Sequence, residues 1–146
     1  MRIHLSPLAA GLAISAAIFA ASPALAEMVK MSATLDAAQV VPPNDSAGQG
    51  TADITFDTES KKLDWTIEYS GLTGDATAAH FHGPAPKGEN AGVAVPIEDT
   101  TSGATGTATL TDAQAADLVA GRYYVNIHTA AYPDGEIRGQ VEKSAM

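Results

Sequence analysis

The sequence predicts an all-β fold, an antiparallel β-sandwich with one short helix. Apolar and polar residues alternate with period two over most of its length, and the alternating runs are short and separated by turn residues. Only one stretch, 111–121, carries helix signals instead. Val29, Met31, Ala33 and Leu35 alternate with Lys30, Ser32 and Thr34 in the first strand. Ala52, Ile54 and Phe56 alternate with Asp53, Thr55 and Asp57, and Leu63, Trp65, Ile67 and Tyr69 with Asp64, Thr66 and Glu68. The polar segment Asp57 to Lys62 is short enough to close a hairpin between these two.

Further strands are expected at Ala76 to His82, Val93 to Ile97, Gly106 to Leu110, Arg122 to Thr129 and Glu136 to Glu142. The helix falls between the Gly106 to Leu110 and Arg122 to Thr129 strands: Thr111 caps it with Gln114 as reciprocal partner, Leu118 and Val119 supply apolar contacts, and Gly121 suits a left-handed exit. Two loops stand out. Residues 83–92 are too rich in Gly and Pro for a strand and leave directly from a histidine pair, so they are expected to fold over it. Tyr132-Pro133-Asp134-Gly135 reads as a tight turn bringing Glu136 back towards His128.

Residues 1–26 have a basic start at Arg2, an apolar run from Leu8 to Ala21 and a small-residue ending at Ala24-Leu25-Ala26. This is the pattern of a signal peptide cut before Glu27, and the run is shorter than the ~20 residues of a membrane span. The expected location is periplasmic or secreted, with no membrane insertion after cleavage, and residues 27–146 form a single domain. Loss of Arg2 makes the formal charge of −9 one unit more negative. Such acidity argues against nucleic acid or anionic lipid as partner and favours cations. There is no cysteine, so thiolate metal sites and disulfides are both excluded.

The candidate site is histidine-based. His80 and His82 flank Phe81 in one strand and so share a face about 7 Å apart. In the Arg122 to Thr129 strand, Val125 and Ile127 are the apolar positions, which puts His128 on the polar face with Tyr124 and Asn126. Three imidazoles with an open fourth position suit copper, with zinc as the alternative. Glu136 is the expected carboxylate, as fourth ligand or as acceptor for an imidazole N–H. Asp134 is a weaker candidate, and Met28, Met31 and Met146 are potential thioether ligands. The competing interpretation makes the histidines half-buried polar residues hydrogen-bonded to Thr129, Asn126 and the backbone. No Gly-x-Ser-x-Gly elbow, phosphate-binding loop or nucleotide motif is present.

Several segments together resemble the CHRD domain, a module of the extracellular protein chordin that also occurs in exported bacterial proteins. They are Leu35 to Pro43, Gly50-Thr51-Ala52, Tyr69 to Thr73, Ala79-His80-Phe81-His82-Gly83-Pro84-Ala85, Ala120 to Thr129 and Gly135-Glu136-Ile137-Arg138-Gly139-Gln140. The resemblance implies an immunoglobulin-like, Greek-key β-sandwich and specifies no activity. The His-x-His strand with a later strand histidine is also similar to the copper ligands of copper/zinc superoxide dismutase. The chain lacks that family's further histidines and its cysteines, which leaves a mononuclear site as the more economical expectation. The leading functional expectation is thus an exported, non-enzymatic copper-binding protein for copper handling or protection. The alternatives are a metal-free module binding a protein or matrix partner, and a copper-dependent redox enzyme acting on superoxide.

Overall fold

The computed structural model describes residue 22 and residues 25–145; the leader expected over residues 1–26 therefore lies mostly outside the described residues, as does Met146. Among the described residues, nine strands and one α-helix follow in order, with a 3-10 turn at Ala37–Gln39: β1 Met28–Asp36, β2 Gln49–Asp57, β3 Lys62–Ser70, β4 Ala76–His82, β5 Val93–Ile97, β6 Thr105–Thr109, α1 Asp112–Val119, β7 Tyr124–Thr129, β8 Ile137–Gln140 and β9 Glu142–Lys143. All strand pairings are antiparallel, in the order β5-β4-β7-β8-β1-β2-β3-β6, with β9 beside β1. Among the described residues no helix is long and apolar enough to cross a membrane.

The all-β fold with one short helix is the one the alternation predicts, and its two layers are parts of one sheet that curls until it is nearly closed. Trp65 on β3 and Phe81 on β4, far apart in strand order, meet edge to face with ring centroids 5.1 Å apart. Period-two patterning decides which side turns inward. Met31, Ala33, Leu35, Ala52, Ile54, Phe56, Leu63, Trp65 and Ile67 from one half pack with Ala79, Phe81, Val95, Val125, Ile127 and Ile137 from the other. Phe81 is fully buried, a contribution of about 1.5–3 kcal/mol for a side chain of that size.

The hairpin and helix signals also hold. Phe56 pairs with Leu63 across the β2–β3 turn, where the Asp57 carboxylate accepts from the Glu59 amide at 2.9 Å. Thr111 and Gln114 form the reciprocal capping box, and Gly121 leaves the helix at φ +76°. The final strand differs from expectation. It breaks at Val141, whose amide donates to the Tyr123 carbonyl at 2.9 Å, so β8 pairs with β7 while β9 pairs with β1.

Candidate metal centre

The site lies on the outer face of β4 and β7. With Phe81 turned into the core, β4 must present His80 and His82 outward, and with Val125 and Ile127 inward, β7 presents Tyr124, Asn126 and His128. The antiparallel register then places His82 opposite Tyr124, His80 opposite Asn126 and Ala78 opposite His128. His80 and His128 are diagonal neighbours, and the small Ala78 leaves the His128 ring free to lean towards them. The pairing of β4 with β5 shifts between Phe81 and His82, a local irregularity at the site itself.

The three imidazoles each offer one nitrogen to a common group whose atoms lie within 4.8 Å of one another. His80 Nδ1 is 3.2 Å from His128 Nε2. Two nitrogens on one tetrahedral ion, each about 2.0 Å from it, stand about 3.3 Å apart, so this hydrogen-bonded pair already has chelating separation, and an ion would take the place of the proton between them. Two such nitrogens span at most roughly 4 Å, so a pair standing at the 4.8 Å limit of the group would close by about 1 Å on loading.

Backbone carbonyls set the tautomers of two rings. His128 Nδ1 lies 2.8 Å from the Pro133 carbonyl and His82 Nδ1 lies 3.0 Å from the Ala91 carbonyl. A carbonyl only accepts, so both Nδ1 atoms carry the proton and both Nε2 atoms keep a lone pair. His82 Nε2 is buried without a hydrogen-bond partner. Burial is the main cause that holds the His82 imidazole below its usual pKa; the Ala91 hydrogen bond opposes it, and the charges of His80, His128 and Arg138 add to it. Burial, then the His128 charge, also lowers His80. Both shifts favour the neutral imidazole that metal ligation requires.

The 83–92 loop is fixed over this face, as its origin beside the histidine pair suggests. Gly83 and Gly92 close it through a 3.1 Å backbone hydrogen bond, and the Ala91 amide donates to the Tyr124 hydroxyl at 3.0 Å. Tyr124 stacks on His82 with 4° between the ring planes and centroids 5.0 Å apart. The Arg138 guanidinium carbon sits 3.5 Å from the same tyrosine ring. Since β7 lies between β4 and β8, histidine and arginine approach that ring from opposite sides.

A family model for the CHRD domain matches residues 31–141. The chain belongs to the CHRD-domain family. No curated protein and no solved structure matches it. The matched span of this CHRD domain contains all three histidines, the loop over them and the Tyr124 and Arg138 supports.

Glu136, the carboxylate expected at the site, is placed elsewhere in the CHRD domain. It is fully buried, and its oxygens accept from Ser46 Oγ at 2.5 Å, the Thr73 amide at 2.9 Å, Thr73 Oγ1 at 3.0 Å and Thr129 Oγ1 at 2.6 Å. With two bonds to each oxygen it has no lone pair aimed at the imidazoles, and it is not part of the converging group. Burial raises this carboxyl, and the bonds from Ser46, Thr129 and Thr73 outweigh it, so its pKa ends below the usual value. Asn126 donates to the Asp134 carbonyl at 3.2 Å, so the two residues expected to bind His128 through hydrogen bonds, Asn126 and Thr129, are both directed to other acceptors. Met31 is a core residue and Met28 is exposed at the start of β1.

Tyr124, Arg138, Ala91 and Pro133 are the supports that sequence reasoning missed. Tyr124 had a usable signal, since its strand parity equals that of His128. Ala91 and Pro133 act through main-chain oxygens, which any residue carries, and left none.

Proposed function

We propose that this CHRD-domain protein is exported to the periplasm or the exterior and binds one copper ion through His80, His82 and His128, for copper handling or protection. Zinc is the alternative metal. The single observation that carries the reading is the His82 ring: its Nδ1 is tied to the Ala91 carbonyl while its Nε2 is buried with no partner. A buried acceptor left bare costs about 1–3 kcal/mol, and a bound metal removes that cost. The tautomers of His82 and His128 direct their lone pairs away from the backbone, which is how ligating histidines are held. The leader pattern in residues 1–26 supports export, and the acidic surface favours a cationic cargo.

Copper titration of the purified protein, followed by isothermal calorimetry or competition with a chromophoric chelator, is expected to give one equivalent per chain. His82→Ala and His128→Ala are each expected to weaken binding at least 100-fold. Equal stoichiometry and affinity in all three proteins would overturn the reading, and metal analysis of protein isolated from its own compartment decides between copper and zinc.

A further inference from the structure

Three neutral imidazoles bring no negative charge to an ion, and among the described residues no carboxylate joins their group. The charge stacked behind His82 is positive. Arg138 is only 2% exposed, and its guanidinium donates to the Asn90 side-chain oxygen at 3.2 Å and to the Pro86 carbonyl at 3.3 Å. Among the described residues it makes no ion pair, and the ion pairs found there are on the surface. Arginine cannot shed its proton at ordinary pH, so this cation is permanent. Its face lies against Tyr124, and Tyr124 lies against His82, which puts one stacked aromatic ring between the buried charge and a ligand.

We infer that Arg138, acting through the Tyr124–His82 stack, makes the three-histidine site selective for a monovalent over a divalent ion, so that the copper it holds is Cu(I). The inference rests on the metal-binding reading above and adds the charge of the ion. A divalent ion would place a second positive charge in a partly desolvated site that already faces a buried, carboxylate-free cation. A monovalent d10 ion meets half that repulsion and accepts three nitrogens without a fourth. The guanidinium carbon is 3.5 Å from the Tyr124 centroid, which is 5.0 Å from that of His82. At separations on the order of 10 Å and an effective dielectric constant of about 20, a fixed charge penalises one extra unit of positive charge on an ion by roughly tenfold or somewhat more in affinity. Arg138 is thereby a positioning and selectivity residue that never touches the metal. Asn90 and Pro86 hold it from the loop, so the loop that covers the site also fixes the charge behind it.

The test compares wild type with Arg138→Gln and Arg138→Lys, each checked for folding by circular dichroism. Affinities are measured for Cu(I) under ascorbate, for Ag(I) as a monovalent ion without redox chemistry, and for Cu(II) and Zn(II). Wild type is expected to prefer both monovalent ions. Arg138→Gln should move the Cu(I):Cu(II) affinity ratio about tenfold towards Cu(II), seen as a fall of about 60 mV in the one-electron potential, while Arg138→Lys keeps most of the preference. Metal binding with an unchanged ratio in a folded Arg138→Gln protein, or a wild-type preference for Zn(II) over Ag(I), would overturn the inference and leave the metal site standing. If Arg138→Gln does not fold, the wild-type comparison of Ag(I) with Zn(II) decides alone. Failure of wild type to bind any of the four ions would instead remove the metal reading itself.

Discussion

His82 and Glu136 show how differently the buried polar atoms of two residues can be satisfied a few strands apart. The imidazole keeps one nitrogen bare at the centre of a three-ring cluster, while the carboxylate has every oxygen doubly hydrogen-bonded. The first arrangement suits a missing ligand and the second suits a structural pin. Glu136→Gln tests the distinction. The amide keeps an oxygen for Ser46 and the Thr73 amide and loses the charge that strengthens all four bonds, so stability in urea should fall by about 1–3 kcal/mol. Metal stoichiometry and affinity should be unchanged within error. A loss of metal affinity comparable to that of His128→Ala would make Glu136 a ligand after all.

At the level of elements, the β7–β8 turn does more than reverse the chain. Its Pro133 carbonyl fixes the His128 tautomer, and Gly135 closes it by donating to the Tyr132 carbonyl at 3.0 Å. Gly135 has φ +125°, and a Cβ there would come within 2.3 Å of Asn126 Oδ1, so no L side chain fits without movement of the turn or of Asn126. Gly135→Ala should therefore destabilise the protein by more than about 1 kcal/mol and, by displacing Pro133, weaken metal binding about 10–100-fold. Gly103→Ala, at φ +87° with open space around it, should carry the backbone strain alone and leave metal affinity intact. Denaturation midpoints and metal competition on the two variants separate the effects. The histidine face was legible from sequence because strand parity is a local rule: Phe81, Val125 and Ile127 had to turn inward, and their neighbours outward. The place of Glu136 was not, because the turn that returns it towards β7 says nothing about Ser46 and Thr73, which reach it from 90 and 63 residues away in the chain. Arg138 was opaque for a related reason. On an outward strand position an arginine reads as solvated, and only the loop fixed over β8 buries it.

Across the whole molecule, Glu136 ties three separate stretches together: the end of β7 through Thr129, the segment after β1 through Ser46, and the β3–β4 connection through Thr73. Of these, the β3–β4 connection joins strands that lie far apart in the sheet order, so the pin helps to hold the curled sheet closed. Surface ion pairs such as Lys62–Asp64 add little to that closure, being exposed and screened by salt. The pH dependence of stability should consequently carry a Glu136 signature. Its carboxyl titrates below the usual value in the folded protein, so the unfolded chain binds more protons than the folded one in the interval between the two values. Stability from this group is complete above the ordinary carboxylate pKa of about 4.5 and is lost as pH falls through the lower folded value. Equilibrium unfolding of the metal-free protein from pH 7 to pH 3 should show stability declining below about pH 4.5, with a shallower decline in Glu136→Gln, where no carboxyl is left to protonate. Parallel curves for the two proteins would mean that the pin holds as well protonated as charged, and that the sheet owes its closure to the apolar core alone.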